Sequence, residues 1–303
     1  MSLENSKKLN IPIGSSLIVL SSFFYASYGI WTRLMGDFFG GYTASAIRSV
    51  MVLIVLVPIA FWYRKFEPIH WRRNWHYLAG LTFVSFFIWG LLYYAILHAG
   101  IGISLGVNYA MIVIGSFILG SLFANERFTK DKAISALIGM VGLVLVFGSS
   151  VGNLGWKPLI AVVVSGLASA GYNLIAKKMP YNATQSTVVI WVTSAIANGV
   201  IVLILTEAHP SIGWHAEWLY LVIFASTSII ASWTFVRGVQ LIEVGVAGIL
   251  GLLEIVFGVL FGVLFFKEQL GIVVLIGMAV IIMSASIPYL KELKNKQKLK
   301  SML

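Results

Sequence analysis

The chain has 303 residues, of which 59% are hydrophobic and 11% are charged, and its mean hydropathy is +0.93. Soluble domains carry about 25% charged residues, so this composition excludes an ordinary soluble globular protein. The absence of cysteine excludes a disulfide scaffold and a thiolate metal site. A net charge of +10 would suggest a nucleic-acid partner in a soluble protein. In a membrane protein it reflects orientation, because Lys and Arg accumulate in cytoplasmic loops.

Apolar runs separated by charged clusters predict ten transmembrane helices, because about 20 apolar residues cross the hydrocarbon core. The predicted spans cover residues 13–35, 43–63, 76–97, 103–124, 130–149, 156–176, 184–206, 216–237, 244–266 and 270–290. The connectors are too short to hold a soluble domain. Residues 1–12 are predicted to be a cytoplasmic N-terminal segment, and the basic residues 291–303 a cytoplasmic tail. The first span is too long for the apolar core of a cleavable signal peptide.

The basic residues predict the orientation of these spans. With the N-terminus inside, all but four of the 21 basic residues fall on the cytoplasmic side. The four exceptions are Arg33, Arg48, Lys157 and Lys267. This alternation predicts that both termini are cytoplasmic and that the protein is an integral, multi-pass protein of the plasma (inner) membrane.

Two stretches of the chain resemble each other. A glycine-rich span leads to an acidic corner at Glu126 and, in the second copy, at Glu268, and each corner is followed by a span that contains Ile-Gly-Met. Each copy holds five predicted spans, so the second copy enters the membrane from the opposite face. The sequence therefore predicts an all-α protein with two inverted five-helix repeats, 13–150 and 151–290. Secondary transporters use such repeats to build a central site with alternating access.

These features together resemble the EamA family of the drug/metabolite transporter superfamily, over residues 13 to 290 and as two EamA-like units. The residues that carry the likeness are Tyr25-Ala26 followed by Arg33, the Ala46-Ile47-Arg48-Ser49 stretch, and the acids Glu126, Glu254 and Glu268. The family usually has a proline in its fourth and ninth spans, where this chain has Val113 and Ile255. The resemblance implies export or exchange of metabolites such as amino acids, amines or amphipathic drug-like compounds.

Glu254 lies near the middle of the ninth predicted span. A charge at that depth costs at least a few kcal/mol unless it is neutralised, paired or hydrated. Intramembrane acids usually mark transport pathways, so Glu254 is a candidate for substrate binding and for proton coupling. The alternative is a neutral side chain that holds one helix against its neighbour through a hydrogen bond.

Arg48 and Arg33 lie on the predicted outer side, against the orientation bias. Arg48 could bind a substrate carboxylate through its planar guanidinium, or pair with Asp37 in an extracellular gate that also involves Arg33. The alternative is that these side chains extend to the membrane interface. Arg237 and Glu243 share the short inside connector before the ninth span and could form a cytoplasmic gate pair.

Polar and aromatic side chains within other spans could line a cavity for an amphipathic ligand. The alternative is hydrogen bonding between helices. The substrate-binding candidates, besides Arg48 and Glu254, are Tyr94, Asn108, Tyr109, Asn173, Trp191, Asn198 and Trp233. The corner acids Glu126 and Glu268 are predicted to be structural, as local ion pairs or as caps of the following helix.

The sequence favours a secondary transporter of a small organic molecule. The alternatives are a membrane-embedded enzyme, which would need a constellation such as His-Glu-x-x-His, and a channel, which would need a filter loop or a ring of like residues. The sequence contains none of these motifs, nor a Walker-type phosphate loop. No catalytic residue, metal ligand, cofactor or nucleic-acid partner is predicted. The predicted partners are the substrate and the lipid bilayer, and the small residues of the final spans would also suit a homodimer.

Overall fold

The structure is a computed structural model that describes residues 10–66, 71–148, 155–205, 210–211 and 213–300. Parts of the sequence-based predictions lie outside these residues: the N-terminal segment up to residue 9 with Lys7 and Lys8, the boundary at 150/151 between the predicted repeats, and the last three residues of the tail.

Every regular element in the described residues is a helix, as the long apolar runs predict. The helices are α1 (Ile11–Ala26), α2 (Tyr28–Met35), α3 (Gly41–Trp62), α4 (Trp71–Ala99), α5 (Ile101–Ala124), α6 (Lys130–Phe147), α7 (Trp156–Lys178), α8 (Ala183–Leu205), α9 (Ala216–Val239), α10 (Val244–Gly251), α11 (Leu253–Phe266) and α12 (Ile272–Lys300). We refer to α1–α6 as the first half and to α7–α12 as the second half.

Eight stretches of the described chain are long and apolar enough to cross a membrane. They are Ile11–Met35, Gly41–Trp62, Arg72–Ile96, Gly102–Ala124, Trp156–Lys178, Ala183–Leu205, Ala216–Val239 and Val244–Phe266. The other two predicted spans correspond to α6, which begins with three charged residues, and to the shorter apolar stretch Ile272–Pro288. The count of ten spans therefore stays a prediction.

The distribution of side chains is that of a protein in lipid. Large aliphatic residues such as Leu203, Leu264 and Ile272 are exposed on the outer surface of the bundle. Small polar residues, mostly serine, are buried inside it. Lipid is as apolar as leucine, so helices in a bilayer associate through close packing of small residues and hydrogen bonds rather than through burial of apolar area.

The two halves pack against each other in a reciprocal way. Helix α3 packs on α8, and α6 packs on α12. The contact of α1 with α9 is matched by the contact of α7 with α4, and that of α1 with α10 and α11 by that of α7 with α5. The main contacts between the halves thus occur in matched pairs, in which a helix and its counterpart exchange roles.

Two of the predicted spans are interrupted without a proline. The first breaks at Ser27, whose hydroxyl donates to the carbonyl of Phe24 at 2.6 Å. Serine hydroxyls that bond back to the preceding turn bend helices. The ninth span breaks at Leu252, whose amide bonds to Ile249, three residues back, instead of the usual four. Tyr28 and Glu254 therefore lie immediately after helix breaks, in the interior of the bundle.

A substitution at the crossing of α6 and α12 can test how closely the two helices pack. A Cβ at Gly142 would lie 2.6 Å from Cγ1 of Ile281 and 3.0 Å from the carbonyl oxygen of Gly277. We expect Gly142→Ala to lower the melting temperature in detergent, because overpacking costs about 1–3 kcal/mol and exceeds the ~1 kcal/mol gain in helix propensity. Gly199→Ala in α8 is the control, since a Cβ there meets no atom within 4 Å. Equal effects of the two substitutions would contradict the packing described here.

Candidate functional site

Arg48 lies in the second turn of α3 and is buried, with 4% of its surface exposed. Three aromatic rings from other helices surround the guanidinium. Its Cζ lies 4.1 Å from the ring centre of Phe224, 4.9 Å from that of Tyr28 and 5.6 Å from that of Trp191. Helices α2, α8 and α9 thus provide an aromatic box for one cation.

Arg48 lacks a carboxylate partner in the described part of the chain. Its Nε has no hydrogen-bond partner there, and no ion pair joins it to Asp37, which is exposed. A desolvated cation gains about 2 kcal/mol from an aromatic face, whereas burying an ion costs several kcal/mol. The aromatic box alone therefore leaves the charge incompletely compensated.

The hydroxyl of Tyr28 interacts with the side chain of Ser228 on α9. On α8, Oδ1 of Asn198 is buried and has no hydrogen-bond partner in the described residues. The amide nitrogen of Asn198 donates to the carbonyl of Ser194 at 2.8 Å, and the Ser194 hydroxyl lies 3.2 Å from that of Ser49, the residue next to Arg48. These contacts connect Asn198 on α8 to α3, one residue away from Arg48 along the chain.

Trp191 is held in place by its indole nitrogen, which donates to the hydroxyl of Ser232 at 2.9 Å. An aromatic series continues from the box: the rings of Tyr28 and Tyr25 are 5.1 Å apart, those of Tyr25 and Phe235 are 6.1 Å apart, and Phe235 stacks on Tyr172 at 5.8 Å. The centre of the bundle is therefore rich in aromatic rings and tyrosine hydroxyls.

Glu254 lies in the first turn of α11, immediately after the break at Leu252. Its carboxylate interacts with the side chain of Tyr109 on α5 and lies within electrostatic range of Tyr25 and Tyr28. Arg48 interacts with the same two tyrosines. Glu254, which is partly buried, and the buried Arg48 thus share a pair of tyrosine neighbours.

The remaining substrate-binding candidates occupy different places. Asn108 is buried and donates to the hydroxyl of Ser165 at 3.0 Å, so it connects α5 to α7. Asn173 is also buried. Trp233 is partly exposed, and its indole nitrogen donates to Thr184 at 3.1 Å. In the described residues, no hydrogen bond or ring contact joins any of these three side chains to the aromatic box of Arg48.

Tyr94 lies away from the others, in an apolar groove of about 380 Å³ between α4 and α7. Leu91, Trp156 and Ile160 are among the residues that line it. The ring of Tyr94 lies 4.2 Å from that of His98, whose Nδ1 bonds to the Tyr94 carbonyl. The groove is open at the side of the bundle, so the structure does not bring Tyr94 together with Arg48 and Glu254.

The corner after α5 has a role beyond a local ion pair. Both carboxylate oxygens of Glu126 accept hydrogen bonds from the amide of Val244, each at 2.9 Å, and Oε2 also accepts from Gly245 at 3.4 Å. Nζ of Lys177, at the end of α7, donates to Glu126 and to the carbonyl of Ile242, both at 2.6 Å. Glu126 therefore caps α10 and joins three helices.

The corner after α11 has the same local geometry. Asn125 and Lys267 both have left-handed backbone conformations, with φ of 53° and 55°. The amide of each following acid bonds to a glycine carbonyl six residues earlier, Glu126 to Gly120 at 3.1 Å and Glu268 to Gly262 at 3.3 Å. Glu268 forms an ion pair with Arg33, at the end of α2, and Arg33 also lies 4.2 Å from the ring centre of Phe266.

The predicted cytoplasmic gate pair of Arg237 and Glu243 is arranged differently from expectation. Glu243 forms its ion pair with Lys132, in the first turn of α6, while Arg237 is exposed at the end of α9. The ion pair between Glu243 and Lys132 joins the two halves, because α6 belongs to the first half and Glu243 directly precedes α10 in the second half. Among the described residues, no cluster of three or more His, Asp or Glu could hold a metal ion.

The contacts that Glu126, Lys177 and Lys132 make between the two halves were not predicted from the sequence. The available signal was the repeated Gly-x5-Glu spacing, Gly120 to Glu126 and Gly262 to Glu268, which sets both corners. The neighbouring bases Arg127 and Lys267 drew attention to local pairs instead. Lys177, the partner of Glu126, is 51 residues away along the chain, and Arg33, the partner of Glu268, is 235 residues away.

Comparisons with known proteins agree with this architecture. The model of the EamA-like transporter family matches residues 12–148 and again 156–289. Proteins called "Uncharacterized transporter" from two strains of Helicobacter pylori are each 23% identical over 303 residues, covering 94% of this chain and 98% of the relative. A crystal structure described only as that of a protein superposes with a TM-score of 0.76 at 16% identity, covering 92% of this chain and 97% of the other, a likeness of fold. The chain therefore belongs to the EamA-like transporter family and is an integral, multi-pass membrane protein.

Proposed function

We propose that the protein is a secondary transporter that moves a small organic molecule by alternating access between two inverted five-helix halves, in the direction of export or exchange. Membership of a transporter family supports transport as the activity, as do relatives that are called transporters. The substrate we propose carries a carboxylate. The observation that carries this choice is the buried guanidinium of Arg48, which has aromatic neighbours but no acid partner in the described residues.

The reciprocal contacts between the halves support an inverted arrangement. Ser21 on α1 donates to the carbonyl of Ala231 on α9 at 2.9 Å, and Ser165 on α7 donates to that of Ile88 on α4 at 2.7 Å. These two bonds run in opposite senses between the halves. A two-fold relation between five-helix units would produce such a pair, and it would place a binding site near the middle of the bundle.

The residues around Arg48 suit an amphipathic anion. A carboxylate would pair with the guanidinium in a bidentate manner, and the hydroxyl of Tyr28, whose ring lies against the guanidinium, could donate to it. The rings of Phe224 and Trp191 would contact an apolar portion of the substrate. Amino acids fit this description. Glu254, which shares the neighbours Tyr25 and Tyr28 with Arg48, would accept hydrogen bonds from the ammonium group of such a substrate.

Glu254 also suits proton coupling. It lies near the middle of an apolar span, its only side-chain neighbours in the described interactions are tyrosines, and it follows a helix break. A carboxylate without a fixed basic partner can exchange a proton as the site opens to each side of the membrane. Either role requires that the site be hydrated or occupied during the transport cycle.

Removing the charge of Arg48 tests the anion site. We expect Arg48→Gln to weaken the apparent affinity for carboxylate-bearing compounds at least about tenfold in proteoliposome uptake, because a charge-assisted bidentate pair is lost. Arg48→Lys should retain part of the activity, since it keeps the charge but not the planar fork. The measurement is initial uptake across a panel of amino acids, monocarboxylates and quaternary amines.

Lys157→Gln is the matched control, because Lys157 also lies over an aromatic ring, that of Trp156 at 5.6 Å, but is exposed. Its substrate profile should equal that of the wild type. If Arg48→Gln retained the wild-type preference for carboxylates, the side chain would be structural and the anion site would be wrong.

Glu254→Gln tests proton coupling. We expect the variant to lose flux driven by a pH gradient while it retains exchange of labelled for unlabelled substrate, because exchange needs no net proton movement. Tyr109→Phe is the companion variant, since it removes the neighbouring hydroxyl and leaves the carboxylate. Flux in Glu254→Gln that responds to the pH gradient as in the wild type would exclude Glu254 as the coupling residue.

A further inference from the structure

The two corners share one local geometry but lie in different surroundings. The side chains of Glu126 and Lys177 are 9% and 16% exposed, whereas those of Glu268 and Arg33 are 49% and 56% exposed. Glu126 caps the first turn of α10 through the amides of Val244 and Gly245. We call these two regions the Lys177 end and the Arg33 end of the bundle.

The Gly-x5-Glu correspondence places α5 and α10–α11 in register. Glu126 aligns with Glu268, so the capped residues Val244 and Gly245 align with Gly102 and Ile103 at the start of α5. Within the described part of the chain, no hydrogen bond joins Glu268 to the amides of Gly102 or Ile103. The N-cap residue of α5 is Gly100, at φ 90°, which has no side chain that could cap the helix. The Arg33 end therefore lacks the cap that closes the Lys177 end.

Glycine packing shows the same difference. A Cβ at Gly248 would lie 3.2 Å from Cβ of Ser116, so α10 and α5 are in close contact towards the Lys177 end. The aligned positions are Gly106 for Gly248 and Gly258 for Ser116. A Cβ at Gly258 meets no atom within 4 Å, and one at Gly106 would contact Phe147 of its own half. The equivalent helix contact is therefore open at the Arg33 end.

We propose that the two corner acids exchange roles during the transport cycle. In the state described here, Glu126 caps α10 and closes the Lys177 end. In the alternative state, Glu268 caps α5 through the amides of Gly102 and Ile103, Gly106 packs against Gly258, and the Glu126 corner is released. The proposal rests on the proposed alternating access and adds the residues that hold each end closed.

The basic partners fit this exchange. Lys177 bonds both to Glu126 and to the carbonyl of Ile242, the residue that aligns with Gly100. In the alternative state Arg33 would keep its pair with Glu268 and would also reach the carbonyl of Gly100. Each ion pair then persists in both states, buried and capping when its end is closed and exposed when its end is open. A carboxylate at a helix N-terminus is favoured by the amide donors and the helix dipole, so each closure has a defined energetic source.

The test uses two double-cysteine pairs, which the chain allows because it contains no native cysteine. Ser116→Cys with Gly248→Cys reports closure of the Lys177 end, and Gly106→Cys with Gly258→Cys reports closure of the Arg33 end. Each pair is oxidised with copper phenanthroline in proteoliposomes, and the disulfide yield is measured by the shift of a thiol-reactive mass tag. We expect both pairs to form in the wild-type background, the first in higher yield.

Substitutions of the two acids should change the yields in opposite directions. Glu126→Gln should lower the yield ratio of the first pair to the second by about fivefold, because hydrogen bonds to a charged acceptor are weakened. Glu268→Gln should raise it by a similar factor, and the double substitution should return it towards the wild-type value. Lys177→Gln should lower the ratio as Glu126→Gln does, so it can replace Glu126→Gln if the latter does not fold. Arg127→Gln is the control for charge at the same corner and should leave the ratio unchanged, since its side chain is exposed.

The outcomes separate this inference from the proposed function. If both disulfides form but the ratio does not respond to Glu126→Gln, Lys177→Gln or Glu268→Gln, the halves alternate and the corner acids do not control the exchange. If all three variants shift the ratio in the same direction, the exchange is likewise wrong. If the second disulfide does not form in any variant, the alternating access on which the inference rests fails.

Discussion

Serine hydroxyls that donate to main-chain carbonyls of the opposite half are the interaction on which this architecture depends. Ser135 on α6 donates to the carbonyl of Ser284 on α12 at 2.6 Å, and Ser284 donates to that of Ser135 at 2.7 Å. The bonds of Ser21 and Ser165 to the opposite half have the same character. In lipid there is little hydrophobic force between helices, so such bonds and the close approach that small residues allow must hold the bundle together.

The contacts between the halves are of two kinds. The reciprocal Ser135–Ser284 pair and the glycines at the α6–α12 crossing form a tight contact in which added volume has no room. The ends of α5 and α10–α11 are different, because their contacts depend on one carboxylate at each corner and on glycine surfaces that are packed at one end and open at the other. A rocking motion about the serine contacts would change the ends and leave the crossing intact.

The sequence predicted the helical class, the positions of eight membrane-spanning stretches and the two acidic corners, because apolar length and charge clusters depend on local composition. It did not predict the breaks at Ser27 and Leu252, since neither involves a proline and each depends on hydrogen bonds of a single turn. It singled out Arg48, because a cation within a span is rare at any register.

The partners of the charged residues were harder to predict. Glu126 has Arg127 beside it, yet its partner is Lys177, because the left-handed residue Asn125 turns the carboxylate back over Gly120 and towards α10. Periodicity does not specify which helices of the two halves meet. The groove at Tyr94 illustrates the same limit: the residue lies within an apolar run, but the direction of its side chain separates it from the residues around Arg48.

Energetics argue that the Arg48 box is more than a structural contact. Holding two helices together needs only a neutral hydrogen bond, which in membranes is worth about 0.6 kcal/mol on average. A buried guanidinium without an acid partner costs more than the ~2 kcal/mol that a desolvated aromatic face returns, so it is a poor choice for that purpose. Binding of the anion that we propose would remove the deficit, and its release would restore it. An incompletely compensated cation would thus give a carrier affinity for its substrate without making the loaded state too stable to release it.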